Sequence, residues 1–126
     1  MKYVFHENNI EAELGHGTLS IAKEAESGFR PVELLISSIA SCSGFVFQNI
    51  LKKQRIQIEE FVITAEVERN EDKANRVEKI ILIFHVKGNE LNEKKLQRNL
   101  DVSRKYCGMI QSVEGSIDIE ERLLIK

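Results

Sequence analysis

The 126 residues carry 18 lysines and arginines against 20 aspartates and glutamates, a net charge of −2, with 42% hydrophobic and 30% charged residues. That length suits a single domain, 1–126, with a real core, and that apolar share a folded chain rather than a disordered one. The near-neutral balance gives no electrostatic case for nucleic acid or an anionic membrane surface, and no apolar run reads as long enough to span a bilayer.

The chain begins by alternating. Tyr3 and Phe5 share one face, Ile10, Ala12 and Leu14 another, and Leu19 and Ile21 continue the pattern, with Asn8-Asn9 and Gly15-His16-Gly17 as turns between them. Three short antiparallel strands are predicted, roughly over 2–7, 10–15 and 18–23. Lys2 and the pair His6-Glu7 make this start polar too early for a signal peptide. The expected compartment is therefore the cytoplasm, where a permanent disulfide is disfavoured and cysteines that pair do so transiently.

Pro31, the only proline, opens a long apolar helix that reaches about Gln54. Proline suits the first helical position, Glu33 the first turn, and Lys52 and Lys53 the last, so the charges match the helix dipole at both ends. Between them the segment is apolar nearly all round, from Leu34 through Phe45 and Phe47 to Leu51, which predicts a buried central helix. Its middle, Ser37 to Gly44, is small and holds Cys42. A chain this short is not expected to cover such a helix alone, which predicts a homodimer with the helices near the interface.

Two long alternating strands follow, one through Phe61, Ile63, Ala65 and Val67 and one from Ile80 to Val86, joined by the charged turn Asn70 to Arg76. A second helix is predicted over 91–106, with Leu96, Leu100 and Ser103 on one stripe, Cys107 extending it, and Gly108 as its stop. A strand from Ser116 to Ile125 carries Ile117, Ile119 and Leu123 among charged residues. The order βββ-α-ββ-α-β predicts an α+β fold with mostly antiparallel sheets.

Two cysteines, Cys42 and Cys107, are the residues with chemistry to offer. Each could be no more than a buried small hydrophobe, since cysteine often only fills space. His6, His16 and His85 lack the close Cys or His neighbours of a zinc site, so neither metal nor cofactor is expected.

The segment Pro31-Val32-Glu33-Leu34-Leu35, six residues ahead of Cys42, together with Tyr106-Cys107-Gly108 and Ser112, resembles the two cysteine motifs of the OsmC/Ohr family. The resemblance covers essentially the whole chain. It implies an OsmC-like fold built as an intertwined homodimer with sites at the subunit interface. It also implies a thiol peroxidase reducing organic or other hydroperoxides, with Cys42 attacking and Cys107 resolving, reset by an external dithiol, lipoyl-type in one branch. The family's activating glutamate directly follows the proline, where this chain has Val32; Glu33 comes next, nine residues before Cys42 and so two and a half turns away on a helix. The family's activating arginine lies in the N-terminal strands, and no arginine precedes Arg30 here, which leaves Arg30 as the candidate thiolate stabiliser. Phe45, Phe47 and Ile110 are the candidate pocket residues. The alternative is a non-catalytic dimer of the same fold that binds a small apolar ligand or senses oxidants. A disulfide between the cysteines requires Cα atoms within about 7 Å.

Overall fold

The computed structural model describes residues 1–126. The chain is α+β and divides into two compact units, Met1–Ser37 and Ser38–Lys126.

In the first unit, β1 (Lys2–Phe5), β2 (Ile10–Glu13) and β3 (Thr18–Ile21) form an antiparallel meander, with Phe5 opposite Ile10 and Glu13 opposite Thr18. The strands are shorter than alternation predicts because the turns begin early: the His6 N–H donates to the Asn9 carbonyl and the Leu14 N–H to the Gly17 carbonyl, both at 2.9 Å. After β3 the chain folds back on itself, Phe29 N–H donating to the Ser20 carbonyl at 2.9 Å. Gly28 is required in that return, since a β-carbon there would lie 2.8 Å from the Ser20 carbonyl oxygen.

Helix α1 (Pro31–Lys53) starts at the proline and ends at the lysine pair, within a residue of expectation. Past its end, Arg55 takes the left-handed conformation (φ 56°), and the Ile56 N–H reaches back to the Leu51 carbonyl at 3.0 Å, which satisfies a terminal carbonyl. Its buried residues are Ile39, Ser43, Gly44, Phe47 and Leu51, a stripe at four-residue spacing. This corrects the expectation of burial all round: within the chain, Phe45 stays 69% exposed. A second correction concerns length. By length and composition α1 is apolar enough to cross a membrane, although the packing of its stripe against a sheet accounts equally well for that apolarity.

In the second unit, β4 (Glu60–Asn70) and β5 (Arg76–Lys87) make the expected hairpin, and β6 (Asp118–Ile125) pairs with β5 in parallel, giving the sheet order β4-β5-β6. A parallel neighbour requires a crossover, and two helices supply it: α2 (Glu93–Tyr106) and α3 (Gly108–Val113). Only α2 was expected. Asn92 caps α2, its side-chain oxygen accepting from the Lys95 N–H at 3.0 Å. The stripe Leu96, Asn99, Leu100 and Ser103 is buried, and Asn99 is satisfied by reciprocal hydrogen bonds with Gln54 at 3.0 and 2.7 Å.

The core of this unit forms where α1 meets the sheet. The rings of Phe47, Phe61 and Phe84 lie in mutual contact with centroids 5.4 to 5.7 Å apart. Gly44 lets the sheet approach, for a β-carbon there would lie 3.0 Å from the Ile63 Cδ1. Cys42 is therefore carried on a helix anchored by large apolar side chains about one turn before it and one and a half turns after it, Ile39 and Phe47.

Candidate active site

Cys107 occupies the joint between α2 and α3 and is fully buried. Its backbone is extended (φ −82°, ψ 106°), which breaks the helical run. The joint is nevertheless well bonded. The Cys107 N–H donates to the Arg104 carbonyl at 3.4 Å, the Gln111 side-chain amide to the same carbonyl at 3.3 Å, and the Gln111 N–H to the Cys107 carbonyl at 3.0 Å. The Cys107 thiol caps α3, its sulfur accepting from the Ile110 N–H at 3.5 Å. Gly115 (φ 88°) then turns the chain toward β6.

A new helix exposes N–H groups in its first turn that have no carbonyl of their own. Here they serve two sulfur atoms. The Ile110 N–H goes to Cys107, while the N–H groups of Met109 and Gly108 act on the acidity of the Cys42 thiol carried by α1. The two thiols also lie close enough to shift each other's acidity.

These contacts separate the acidities of the two groups. Cys42 is held below the ordinary thiol value, first by the Met109 N–H, then by the Cys107 S–H and the Gly108 N–H, against the opposing effect of burial. Cys107 is pushed above it, chiefly by burial, with its bond to Cys42 and the charge there adding to the effect. The two thiols are therefore unlike in acidity, Cys42 the more acidic of the pair and Cys107 the less. The structure thus brings together two of the sequence-predicted residues and adds the amides of 108 and 109. No sequence motif marks those amides.

The remaining candidates lie as follows. Arg30 donates from Nε to the Glu33 carboxylate at 2.6 Å, and no cation figures among the causes of the Cys42 shift. Phe47 is fully buried in the aromatic cluster and Ile110 is fully buried as well, so both side chains belong to the core rather than to an open pocket. Phe45 lines a groove of about 630 Å³ along the C-terminal half of α1, together with Ile50, Val102, Tyr106, Lys52 and Lys53. His6 contacts Glu11 at 3.4 Å and His85 bonds Thr64 at 2.9 Å; no three His, Cys, Asp or Glu side chains converge as a metal site would need.

A polar cluster behind Cys42 was missed in the sequence. Ser43 donates to the Glu121 carboxylate at 2.6 Å, and Arg104 lies 4.0 Å from the other oxygen. Glu121 is buried, its side chain 5% exposed, and burial raises its pKa against the lowering effects of Ser43 and Arg104, with Asp101 adding a further rise. The signal was present: Glu121 falls between Ile119 and Leu123 in a period-two strand, on their face.

An α+β chain whose two cysteines, one on a long central helix and one at a later helix joint, share a single site defines a class of two-thiol proteins. Residues 23–122 match the family model described as OsmC-like protein. Protein YhfA of Escherichia coli K12 is 26% identical over 110 residues, covering 86% of this chain and 82% of that protein. The organic hydroperoxide resistance protein OhrA of Bacillus subtilis is 26% identical over 98 residues, covering 78% and 69%. A hypothetical protein from Aquifex aeolicus VF5 superposes with a TM-score of 0.88 at 26% identity, over 99% of this chain and 93% of that one. The chain belongs to the OsmC-like protein family, which includes organic hydroperoxide resistance proteins.

Proposed function

We propose that the protein is a cofactor-free, two-cysteine reductase of organic hydroperoxides. The observation that supports this reading is the shared site: the Cys42 pKa is lowered by two amides of α3 and by the neighbouring Cys107, whose own pKa is raised. The Cys42 thiolate attacks the terminal oxygen of the hydroperoxide, the O–O bond breaks, and the alkoxide leaves with a proton as alcohol. Cys42 is then a sulfenic acid. The Cys107 sulfur attacks it, an S–S bond forms, and water departs with the Cys107 proton. An external dithiol, lipoyl-type or similar, exchanges with the disulfide, restoring two thiols and becoming a disulfide itself. A reducing compartment such as the cytoplasm suits that cycle.

Activation in this reading comes from backbone amides. With Arg30 engaged by Glu33, Arg30→Ala is expected to leave the Cys42 alkylation rate within about twofold of the wild type. The protein acts as a homodimer: Phe45 and Tyr106 are 69% and 74% exposed, an apolar surface a second copy would cover, and sedimentation velocity reads this directly. The main test is stopped-flow oxidation of reduced protein by cumene hydroperoxide. Oxidation of Cys42 far faster than that of free cysteine is expected, and a rate no greater ends the peroxidase reading.

The groove at Phe45, Val102 and Tyr106 favours a second reading, a dimer that binds a small apolar ligand or senses oxidants without turnover. It predicts that Cys42→Ser leaves ligand binding intact. Calorimetric titration with a panel of apolar ligands separates the two.

A further inference from the structure

Two cysteines far apart in sequence touch only if the elements that carry them are held in register. Cys42 rides on α1 and Cys107 ends α2, and neither element supplies the other with a backbone hydrogen bond. Gln54, just past the end of α1, bonds Asn99 of α2 far from the thiols, and the polar link beside the thiols runs through β6. Ser43, adjacent to Cys42, is fully buried and donates to Glu121 Oε2 at 2.6 Å. Arg104, three residues before Cys107, donates to the Ile119 carbonyl at 2.6 Å and lies 4.0 Å from Glu121 Oε1. Arg104 also approaches Glu114, just past α3, at 3.8 Å. One buried carboxylate therefore meets both cysteine-bearing helices, one residue from the first thiol and one turn from the second.

A carboxylate in such a place is costly unless its partners hold it, since burial disfavours the charge. A plain apolar side chain between Ile119 and Leu123 would fill the strand position without that cost. Glutamate there adds direction. It fixes the rotation of α1 through the Ser43 hydroxyl and the placement of α2 through the guanidinium, which apolar packing alone does not specify.

We propose that Glu121 is the positioning residue of the thiol pair: its carboxylate, through Ser43 and Arg104, holds α1 and α2 at the spacing at which Cys42 and Cys107 meet. It touches neither sulfur and takes no part in bond making. The proposal rests on the reading that the two thiols act together, although it does not depend on the oxidant being a peroxide.

The test is a redox titration of the full-length protein in mixtures of reduced and oxidised dithiothreitol, with the Cys42–Cys107 disulfide read by mass spectrometry after alkylation. Dithiothreitol supplies and removes the electrons, so no peroxide is needed. Glu121→Ala, which leaves Ser43 without its acceptor and Arg104 without one of its two carboxylate neighbours, is expected to lower the equilibrium constant for the disulfide about tenfold, or about 30 mV for a two-electron couple. Glu121→Gln, whose amide oxygen still accepts from Ser43, is expected to stay within about threefold of the wild type. Thermal melting checks that each variant is folded. If Glu121→Ala fails to fold, Ser43→Ala carries the test, since it removes one hydroxyl and predicts a fall in the same direction. A constant within twofold of the wild type in the folded variant overturns the proposal, as does a wild-type protein that forms no such disulfide. A protein inert to hydroperoxides but with a Glu121-dependent constant keeps the positioning role and loses the peroxidase reading. Fast peroxide turnover with a Glu121-independent constant does the reverse.

Discussion

Cys42 and Cys107 are the same side chain in opposite settings. Cys42 lies inside an unbroken helix, where every nearby N–H is committed to a carbonyl one turn back, so α1 itself can offer its thiol no donor. Cys107 lies at a break, where the N–H groups of α3 are free. The break serves the other thiol more than its own: the Met109 and Gly108 amides lower the pKa of Cys42, while that of Cys107, enclosed at the joint, is raised mainly by burial. A helix interior gives a nucleophile a fixed place and no activation. A helix start offers N–H donors that have no carbonyl of their own. Joining one of each yields two neighbouring thiols of unequal acidity.

The widest separation between the two regions is expected in single cysteine variants. Cys42→Ser should lower the rate of hydroperoxide reduction by at least about a hundredfold, since a hydroxyl at neutral pH is no substitute for a thiolate. Cys107→Ser should oxidise at a rate near that of the wild type and accumulate sulfenic acid, trapped by dimedone and seen by mass spectrometry. Equal losses in the first step for both variants would show that the division of roles is wrong.

The support of the two regions should differ as well. Below Cys42 lies the ring cluster, so Phe47→Ala should destabilise the fold by about 3–5 kcal/mol in urea unfolding, the range for deleting a buried aromatic side chain. It removes contact with both Phe61 and Phe84. A loss under 1 kcal/mol would mean that α1 is anchored elsewhere.

The sequence disclosed the first region far better than the second. Alternation and the Pro31–Lys53 composition located all six strands and α1 closely, because period-two and dipole signals are strong. Both cysteines stood out by residue type. Their proximity depends on a parallel β5–β6 pairing and a two-helix crossover, and nothing local in the chain encodes either. Gly108 read as a helix stop, and it does follow one, but it also begins α3, whose six residues are too few for a periodic signal. With α3 hidden, its amides were hidden too, and an arginine was the only activating group the sequence offered to look for. Phe47 looked like a pocket residue because an apolar side chain on a helix does not announce which face meets the sheet. Glu121 was passed over because Glu120 and Arg122 made the stretch look solvated, although the strand period alone puts it on the inner face.

The contrast in acidity has its own test. Cys42 should titrate below the ordinary thiol value and Cys107 above it, which residue-resolved iodoacetamide alkylation against pH will show. Met109→Pro removes the strongest donor to Cys42 at a first-turn position where a helix tolerates proline. The Cys42 inflection should then move up, and alkylation at pH 7 should slow by about three- to tenfold, with no difference at pH values where both forms are fully ionised. The sign carries over to stability. A depressed folded pKa stabilises the fold at pH values above the ordinary thiol value, and this contribution fades as pH falls through the folded value. The variant should lack that part of the pH dependence. An unchanged inflection would return the activation to a cation.

The finest distinction lies between the two amides. Gly108 is the first residue of α3, it follows an extended residue (φ −82°, ψ 106° at Cys107), and a β-carbon there would meet nothing within 4 Å. Those are the conditions under which proline fits, both for its own ring and for the residue before it. Gly108→Pro should therefore raise stability by about 0.4–1 kcal/mol, because it removes freedom from the unfolded chain more than it disturbs the folded one. It also deletes the Gly108 N–H, the weakest of the donors to Cys42. The Cys42 inflection should rise by less than in Met109→Pro, and alkylation at pH 7 should slow by no more than about twofold. A higher melting temperature together with that small shift would separate the two duties of the α3 start, closing the helix joint and feeding the thiolate. A larger shift in Gly108→Pro than in Met109→Pro would reverse the order of the two donors and place the Cys42 sulfur nearer the joint itself than the first turn beyond it.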